Sequence, residues 1–420
     1  VGALEPIMLT VDEALDAVRR HARPVTPIRV PLAQALGAVL AEDVMADLDL
    51  PPFDKALVDG FAVRSADLVG SNRELVIGET IAAGQVPSRP LGQREAAKIM
   101  TGAPVPVGAD LVVMIERTRR FDDRVAVDDP GVRPGQNVLP RGREMRSGEV
   151  IAKPGTPITP AMIGLLASVG WHDVLVRRAS VAILPTGDEL VEPEFRPGPG
   201  QIRNSNAPML EALSIEAGAI AERLPIAPDE PLALERSLER GLAADVLVIT
   251  GGVSAGDRDL VPAALMSLGA RLVFHKVRLK PGKPLWFGTG PDRDGRPGTL
   301  IFGLPGNPVS GLVGFLIFVR EAIAFMTGGA ESRGAPRSAR LARGFQHRGD
   351  RPTYHPARFE KPALVENPAL PDGGAPSVET LDWAGSADLR SVAGADGFAV
   401  FPPGDRDYAQ GEIVSFLSMR

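Results

Sequence analysis

The sequence predicts a multidomain α+β chain in which a central doubly wound α/β domain is flanked by two small β domains. Three observations carry this expectation. Between residues 178 and 328, apolar strand-like runs alternate with helical patterns, as in a mainly parallel sheet covered by helices. Residues 46–149 and 340–420 read instead as short strands broken by turns. The 46 glycines and 40 prolines in 420 residues exceed the usual shares of about 7% and 5% without a collagen period, so the chain is rich in corners. At roughly 100–200 residues per domain, this length fits two to four domains.

In chain order, residues 1–45 together with 150–177 are expected to form an N-terminal helical domain. Residues 10–22, TVDEALDAVRRHA, read as its first helix: Thr10 can cap, Glu13 stands three later, and Val11, Leu15 and Val18 recur at helical spacing. Residues 46–149 follow as an inserted β domain, with strand-like FAVR, ELVIGE, AAKIM, LVVMIE and RVAVDD between turns. Residues 156–170 return to helix, with Pro160 in the first turn and Gly170 past the end. Residues 178–328 form the α/β domain, in which the stretch 271–279 is read as one continuous strand. Residues 340–420 are expected to form a small terminal barrel, with 362–378 as a mobile, proline-rich loop.

Composition removes several classes of function. A net charge of −6 provides no dominant positive field for nucleic acid, so an anionic ligand needs a local patch. The absence of cysteine excludes disulfides, thiolate zinc and a cysteine nucleophile; the five histidines lie scattered, which leaves oxygen ligands for any metal. The longest apolar run, 309–319, ends at Arg320 and Glu321, short of the roughly 18 residues that a membrane span needs. The first residues carry no signal-peptide pattern, so a cytoplasmic location is expected, with no membrane and no nucleic-acid partner.

The candidate chemistry sits on loops. Three loops of the α/β domain each follow a buried-looking strand: 185–189 (PTGDE), 250–257 (TGGVSAGD) and 304–308 (LPGNP). Ligands bind at the carboxyl ends of strands in an open parallel sheet, so the three are expected to converge on one crevice. Gly251 and Gly252 would let backbone N–H groups approach phosphate, with Asn307 as cap and Pro308 at the first helical position leaving a helix N-terminus open to an anion. If 271–279 is a strand, Lys276, Arg278 and Lys280 share one face at spacings of about 6.6 Å, and with Lys283 they form an anion patch. Carboxylates at Asp188, Glu189, Asp229, Asp257 and Asp259 are placed to hold Mg²⁺, although Asp229 also reads as a helix N-cap. Asp59 precedes a strand and Thr101 follows one; alone, each is a turn residue, as is Glu144.

These segments together resemble the molybdopterin molybdenumtransferase family, known as MoeA in bacteria and as the E-domain of gephyrin. PPFDKALVDGFAVR is similar to the family's PxFDxSAMDGYAVR and MTGAPVPVGAD to MTGAPxPxGAD, while LPTGDEL, TGGVSAGDRD, KPGKP and GLPGNPVS match in order. The resemblance implies an L-shaped four-domain subunit that forms a homodimer, with an α/β domain that is molybdopterin-binding and adenylyltransferase-like. It implies insertion of molybdenum from molybdate into adenylylated molybdopterin with release of AMP, with Mg²⁺ or Zn²⁺ as cofactor. Carried over by position, Asp59, Thr101, Glu144, Glu189, Asp229 and Asp259 form the catalytic set, and Glu189, Asp229, Asp257 and Asp259 the metal set. Gly251, Gly252, Ser254, Asp257, Lys276, Lys280, Lys283, Pro284, Pro305, Gly306, Asn307, Pro308 and Ser310 bind the substrates, and Arg351 with Ser386 completes an oxyanion site.

The resemblance further implies that Asp59 and Thr101 of one subunit face the crevice of the other. Its implied partners are a molybdopterin adenylyltransferase and molybdoenzyme apoproteins. The chain departs from the family at Ala56, where the motif has Ser, at Val58, where it has Met, and at Arg143, where an acidic pair leaves only Glu144. A non-catalytic scaffolding paralogue, a tungsten-specific transferase and the adenylyltransferase of the preceding step remain alternatives at this point.

Overall fold

The computed structural model describes residues 8–252, 260–292, 295, 297–328, 337–360 and 375–419. The chain forms two compact units: 1–42, 154–163 and 173–420 in the first, and 43–153 with 164–172 in the second.

The first unit is built on a six-stranded sheet in the order Ile220–Arg223, Ser180–Pro185, Val246–Thr250, Leu300–Leu304, Trp286–Thr289, Arg271–His275. The first four strands are mutually parallel, and Trp286–Thr289 runs antiparallel to both of its neighbours. Successive side chains in a strand point to opposite faces, and here both faces are buried. Val181, Ile183, Val246, Val248, Phe287 and Phe302 pack into one cluster. Ala182, Leu184, Leu247, Ile249 and Ile301 pack into another, against the helices Pro231–Gly241 and Leu260–Ser267. Uninterrupted apolar strands are what a doubly covered sheet requires, which is why these strands were legible as runs rather than as alternation. The chain passes from Ser180–Pro185 to one neighbour and then across to the other, so the order reverses between Ser180–Pro185 and Val246–Thr250.

The first cluster is closed by two helices. Val11–His21 buries Ala14, Ala17 and Val18. Its start is a reciprocal cap, in which Thr10 Oγ1 accepts the Glu13 N–H at 3.3 Å while Glu13 Oε2 accepts the Thr10 N–H at 2.8 Å. The second helix is Pro308–Thr327, which carries on through Arg320 and Glu321, where the longest apolar run of the sequence ends. Among the described residues it is the one helix long and apolar enough to cross a bilayer, and its apolar stretch is 83% buried inside the protein. Arg320 is itself buried, and Glu321 binds Arg19 at 2.6 Å. The middle of the helix, Phe315–Val319, is a wide π turn.

Five strands, Arg337–Leu341, Ser377–Thr380, Thr353–Phe359, Gly397–Phe401 and Ile413–Ser418, close into the expected terminal barrel around Leu341, Val378, Phe401 and Phe416. Residues 362–374 of the expected mobile loop lie outside the described residues; Ser377–Thr380, which that reading overlapped, is paired strand.

The second unit centres on a sheet in the order Leu111–Met114, Gly60–Val63, Glu95–Ile99, Glu74–Ile81, Arg124–Val127, Thr118–Phe121. Phe61 and Val63 enter one apolar cluster and Ala62 the other. Gly60 is required by close approach, since a Cβ there would run into the Val113 carbonyl. Ala56, the first departure from the family motif, is fully buried in the second cluster beside Ile99 and Val112. Its methyl group is packing material and presents nothing to a ligand.

Candidate functional site

The three loops do converge. Thr186 and Glu189 from the first, Thr250, Gly251 and Gly252 from the second, and Pro305, Gly306, Asn307 and Pro308 from the third line one cavity of about 450 Å³. It lies at the carboxyl ends of the strands, at the point where strand order reverses, as the physics of an open parallel sheet requires. Gly251 sits at φ +92°, and a Cβ there would stand 2.5 Å from the Thr186 carbonyl. This glycine is needed for two loops to touch.

Residues outside the three loops also build the wall. Ile202, Arg203, Asn204, Ser205 and Asn206 line the same cavity, and Asn206 organises it. Its Nδ2 donates to Thr250 Oγ1 at 2.8 Å and to the Gly306 carbonyl at 2.7 Å. A carbonyl can only accept, so the amide orientation is determined, with Oδ1 turned away and buried without a partner among the described residues. The sequence signal was the Asn-Ser-Asn run 204–206, which resembles a helix cap. Asn204 does that work, accepting the Ala207 N–H at 3.2 Å, and Asn206 is thereby free to cross-link the loops.

A second cavity, of about 470 Å³, is lined by Lys280, Lys283, Ser310, Arg351, Trp383 and Ser386, and shares Pro284, Pro305 and Asn307 with the first. The cations arrive there by a route other than the expected one. The strand ends at His275 rather than at 279, because Lys276 adopts φ +78°, and the chain folds back with Lys276 N–H on the Leu285 carbonyl at 3.0 Å and Val277 N–H on Lys283 at 3.0 Å. Alternation nevertheless survives: Val277 and Leu279 are buried while Arg278 and Lys280 are exposed. Lys280 is pinned to the barrel through its N–H on Pro352 at 3.0 Å and its carbonyl on Tyr354 at 2.8 Å. Lys276 lines neither cavity.

Ser386 closes this cavity. Its Oγ accepts from Asn307 Nδ2 at 2.9 Å, and its carbonyl accepts the Val309 N–H at 3.0 Å. Asn307 is the N-cap residue but makes no side-chain capping bond. The expected open helix N-terminus is therefore partly closed by Ser386. Beside it, Arg351 Nε donates to Asp350 Oδ1 at 3.3 Å, and this guanidinium holds the Asp350 carboxyl below the ordinary value. His355, half-buried and edge-on to Trp383 at 5.4 Å, donates from Nε2 to the Leu381 carbonyl, and its partial burial lowers its pKa.

Among the described candidate acids, only Glu189 lines either of these two cavities. Asp229 is not the N-cap of the helix Pro231–Gly241; that residue is Glu230. Asp229 instead gives its N–H to Asp188 Oδ1 at 3.1 Å, so the chain turn there keeps both out of the crevice wall. Ser254, Asp257 and Asp259 lie outside the described residues. Among the described residues no three of His, Asp and Glu come together as a metal site, so those present do not by themselves fit Mg²⁺ or Zn²⁺.

In the second unit, Asp59 and Thr101 form one device. Asp59 Oδ1 accepts the Thr101 N–H at 2.7 Å and the Thr101 hydroxyl at 2.8 Å, and these two bonds, the backbone one first, hold the Asp59 carboxyl below its ordinary value. Glu144 is exposed, with its N–H on the Leu50 carbonyl at 2.9 Å.

Comparison with known proteins covers nearly the whole chain. The MoeA N-terminal region (domain I and II) matches residues 9–170, a probable molybdopterin binding domain 182–324, and the MoeA C-terminal region (domain IV) 338–419. A molybdopterin molybdenumtransferase of Bacillus subtilis is 35% identical, covering 98% of this chain and 94% of its own. One from Staphylococcus epidermidis is 32% identical, covering 97% and 95%. The crystal structure of the molybdopterin biosynthesis MoeA protein from Pyrococcus horikoshii OT3 superposes with a TM-score of 0.75 at 29% identity, covering 98% of this chain and 100% of that one. On these matches, and with the family's loops assembled around two adjoining cavities, the chain belongs to the molybdopterin molybdenumtransferase family.

Proposed function

We propose that this chain inserts molybdenum from molybdate into adenylylated molybdopterin and releases AMP. The observation that carries this reading is the common wall: Pro284, Pro305 and Asn307 face both a glycine-loop crevice and a cavity bearing Lys280, Lys283 and Arg351. A reaction that joins an oxyanion to a phosphorylated organic molecule needs two sites of this chemistry side by side. The loop backbone at Gly251, Gly252 and Gly306 approaches the phosphorylated substrate, and the lysines neutralise the tetrahedral dianion. Arg351 orients it with a planar fork that lysine lacks. Ser386, whose oxygen already accepts from Asn307, turns its own proton toward the anion.

Holding the two substrates in register is the main contribution of these residues to rate. Two Mo–S bonds form as one oxo group of molybdate leaves as water with the two dithiol protons, and a second water cleaves the phosphoanhydride to AMP and the pterin phosphate. Mg²⁺ bound through Glu189 together with Asp257 and Asp259 belongs to this proposal, as does Zn²⁺ in its place; no step is assigned to the metal. Also proposed are a homodimer in which Asp59 and Thr101 serve the partner's crevice, and onward contacts with the adenylyltransferase and molybdoenzyme apoproteins.

The test is to mix the purified chain with adenylylated molybdopterin, Mg²⁺ and molybdate or tungstate, then measure AMP and protein-bound metal together. Oxyanion-dependent AMP release with metal in the pterin is expected. Ligand binding without AMP would overturn the transferase reading in favour of a non-catalytic binder, and release with tungstate alone would reassign the substrate.

A further inference from the structure

The oxyanion cavity carries its own competitor. Asp350 does not line the cavity, yet its Oδ1 is 3.3 Å from Nε of Arg351, the one guanidinium among the described residues that does. Arg351 Nη1 lies at 3.5 Å from the Leu279 carbonyl, so two of its nitrogens already face oxygen. The Asp350 backbone is anchored from the other side, where its carbonyl accepts from Arg278 Nη2 at 3.1 Å. Its neighbour Gly349 is held by Asp405, whose Oδ1 accepts the Gly349 N–H at 3.1 Å. The carboxylate itself is exposed, at 84% of its side-chain surface. Packing therefore does not explain it, and its electrostatic partners are Arg351 and Arg278.

We propose that Asp350 is an internal counter-ion that competes with the incoming tetrahedral dianion for Arg351, lowering oxyanion affinity and setting how readily the anion leaves. This inference rests on the cavity being the oxyanion site. A carboxylate and a dianion cannot both claim one guanidinium without repelling each other, and that repulsion is exposed to salt. Asp350 acts through Arg351 and is a positioning residue, not a catalytic one.

The test is equilibrium dialysis of molybdate, with bound metal counted by mass spectrometry, for the wild-type chain, Asp350→Asn, Arg351→Ala, the double variant and Lys283→Ala. Asp350→Asn is expected to bind about three- to tenfold more tightly at low salt, with the gain shrinking at high salt. In the Arg351→Ala background the same substitution is expected to gain little, because the competition has lost its object. Unchanged or weaker binding by Asp350→Asn while Lys283→Ala still binds poorly would overturn the inference and leave the site standing. Undiminished binding by both Lys283→Ala and Arg351→Ala would overturn the site and the inference with it.

Discussion

Asn206 joins Thr250 to Gly306. One side-chain amide, contributed by the start of the helix Asn206–Glu216, spans the ends of two neighbouring parallel strands with bonds of 2.8 and 2.7 Å. The crevice width is thus set by a residue in neither loop. Asn206→Asp keeps the volume but places an oxygen against the Gly306 carbonyl, so the two loops should part. We expect a loss of about 1–3 kcal/mol in stability and at least tenfold weaker molybdopterin binding. Urea denaturation combined with a binding titration checks both, and wild-type affinity would show that the clamp does not set the crevice.

Asp59→Ala should leave the second unit folded and abolish AMP release, since the carboxylate is exposed apart from its bonds to Thr101. The pH dependence has a definite sign. Its folded pKa is lowered by the Thr101 bonds, so the contact is complete above the ordinary aspartate value of 3.8 and fades only as acid protonates the folded form below it. An activity limb at higher pH must therefore arise elsewhere, and a pH–rate profile in which such a limb followed Asp59 would contradict this geometry.

Ser386→Ala should weaken molybdate binding about tenfold while the protein melts normally. The substitution removes the hydroxyl that accepts from Asn307 but retains the backbone carbonyl that caps Val309. An equal loss in Asn307→Ala, with no further loss in the double variant, would show that the pair acts as a unit. Equilibrium dialysis alongside calorimetry separates binding from folding.

Arg320 is a stability determinant remote from either cavity. It is 8% exposed, and its guanidinium donates to Ser418 at 3.1 Å and Met419 at 3.4 Å. Burial lowers its pKa, but arginine's ordinary value is high enough that it stays charged at neutral pH. Arg320→Ala should cost about 2–4 kcal/mol, and Arg320→Met less, because methionine refills the volume and leaves only the carbonyls unpaired. Chemical denaturation of both variants checks the order.

Much of this was readable from the chain because the strongest signals are local. Thr10 and Glu13 announce a capping box, and the strands 180–185, 246–250 and 300–304 announce themselves by unbroken apolar runs. The six ordered motifs point to the same family that the comparisons show. What escaped was non-local or short. Trp286–Thr289 is a four-residue strand containing a glycine. Thr118–Phe121 is an edge strand whose arginines disguise it as a loop. Lys276 breaks the strand by one backbone angle that its residue type does not announce. Asn206 acts across 44 and 100 residues of sequence, a separation at which spacing carries no information.

The wide turn at Phe315–Val319 fixes a bearing. An α-helix advances by about 100° per residue, so the residue accommodated in a π turn rotates everything after it by roughly that angle relative to everything before. Ser310 stands ahead of the turn and lines the cavity that holds Lys280, Lys283 and Arg351; Arg320 stands behind it and reaches the last barrel strand. The two ends of this helix are aimed independently, like the hands of a clock set to different hours. Deleting one residue between 315 and 319 would preserve hydropathy and composition almost unchanged, yet swing one hand off its mark.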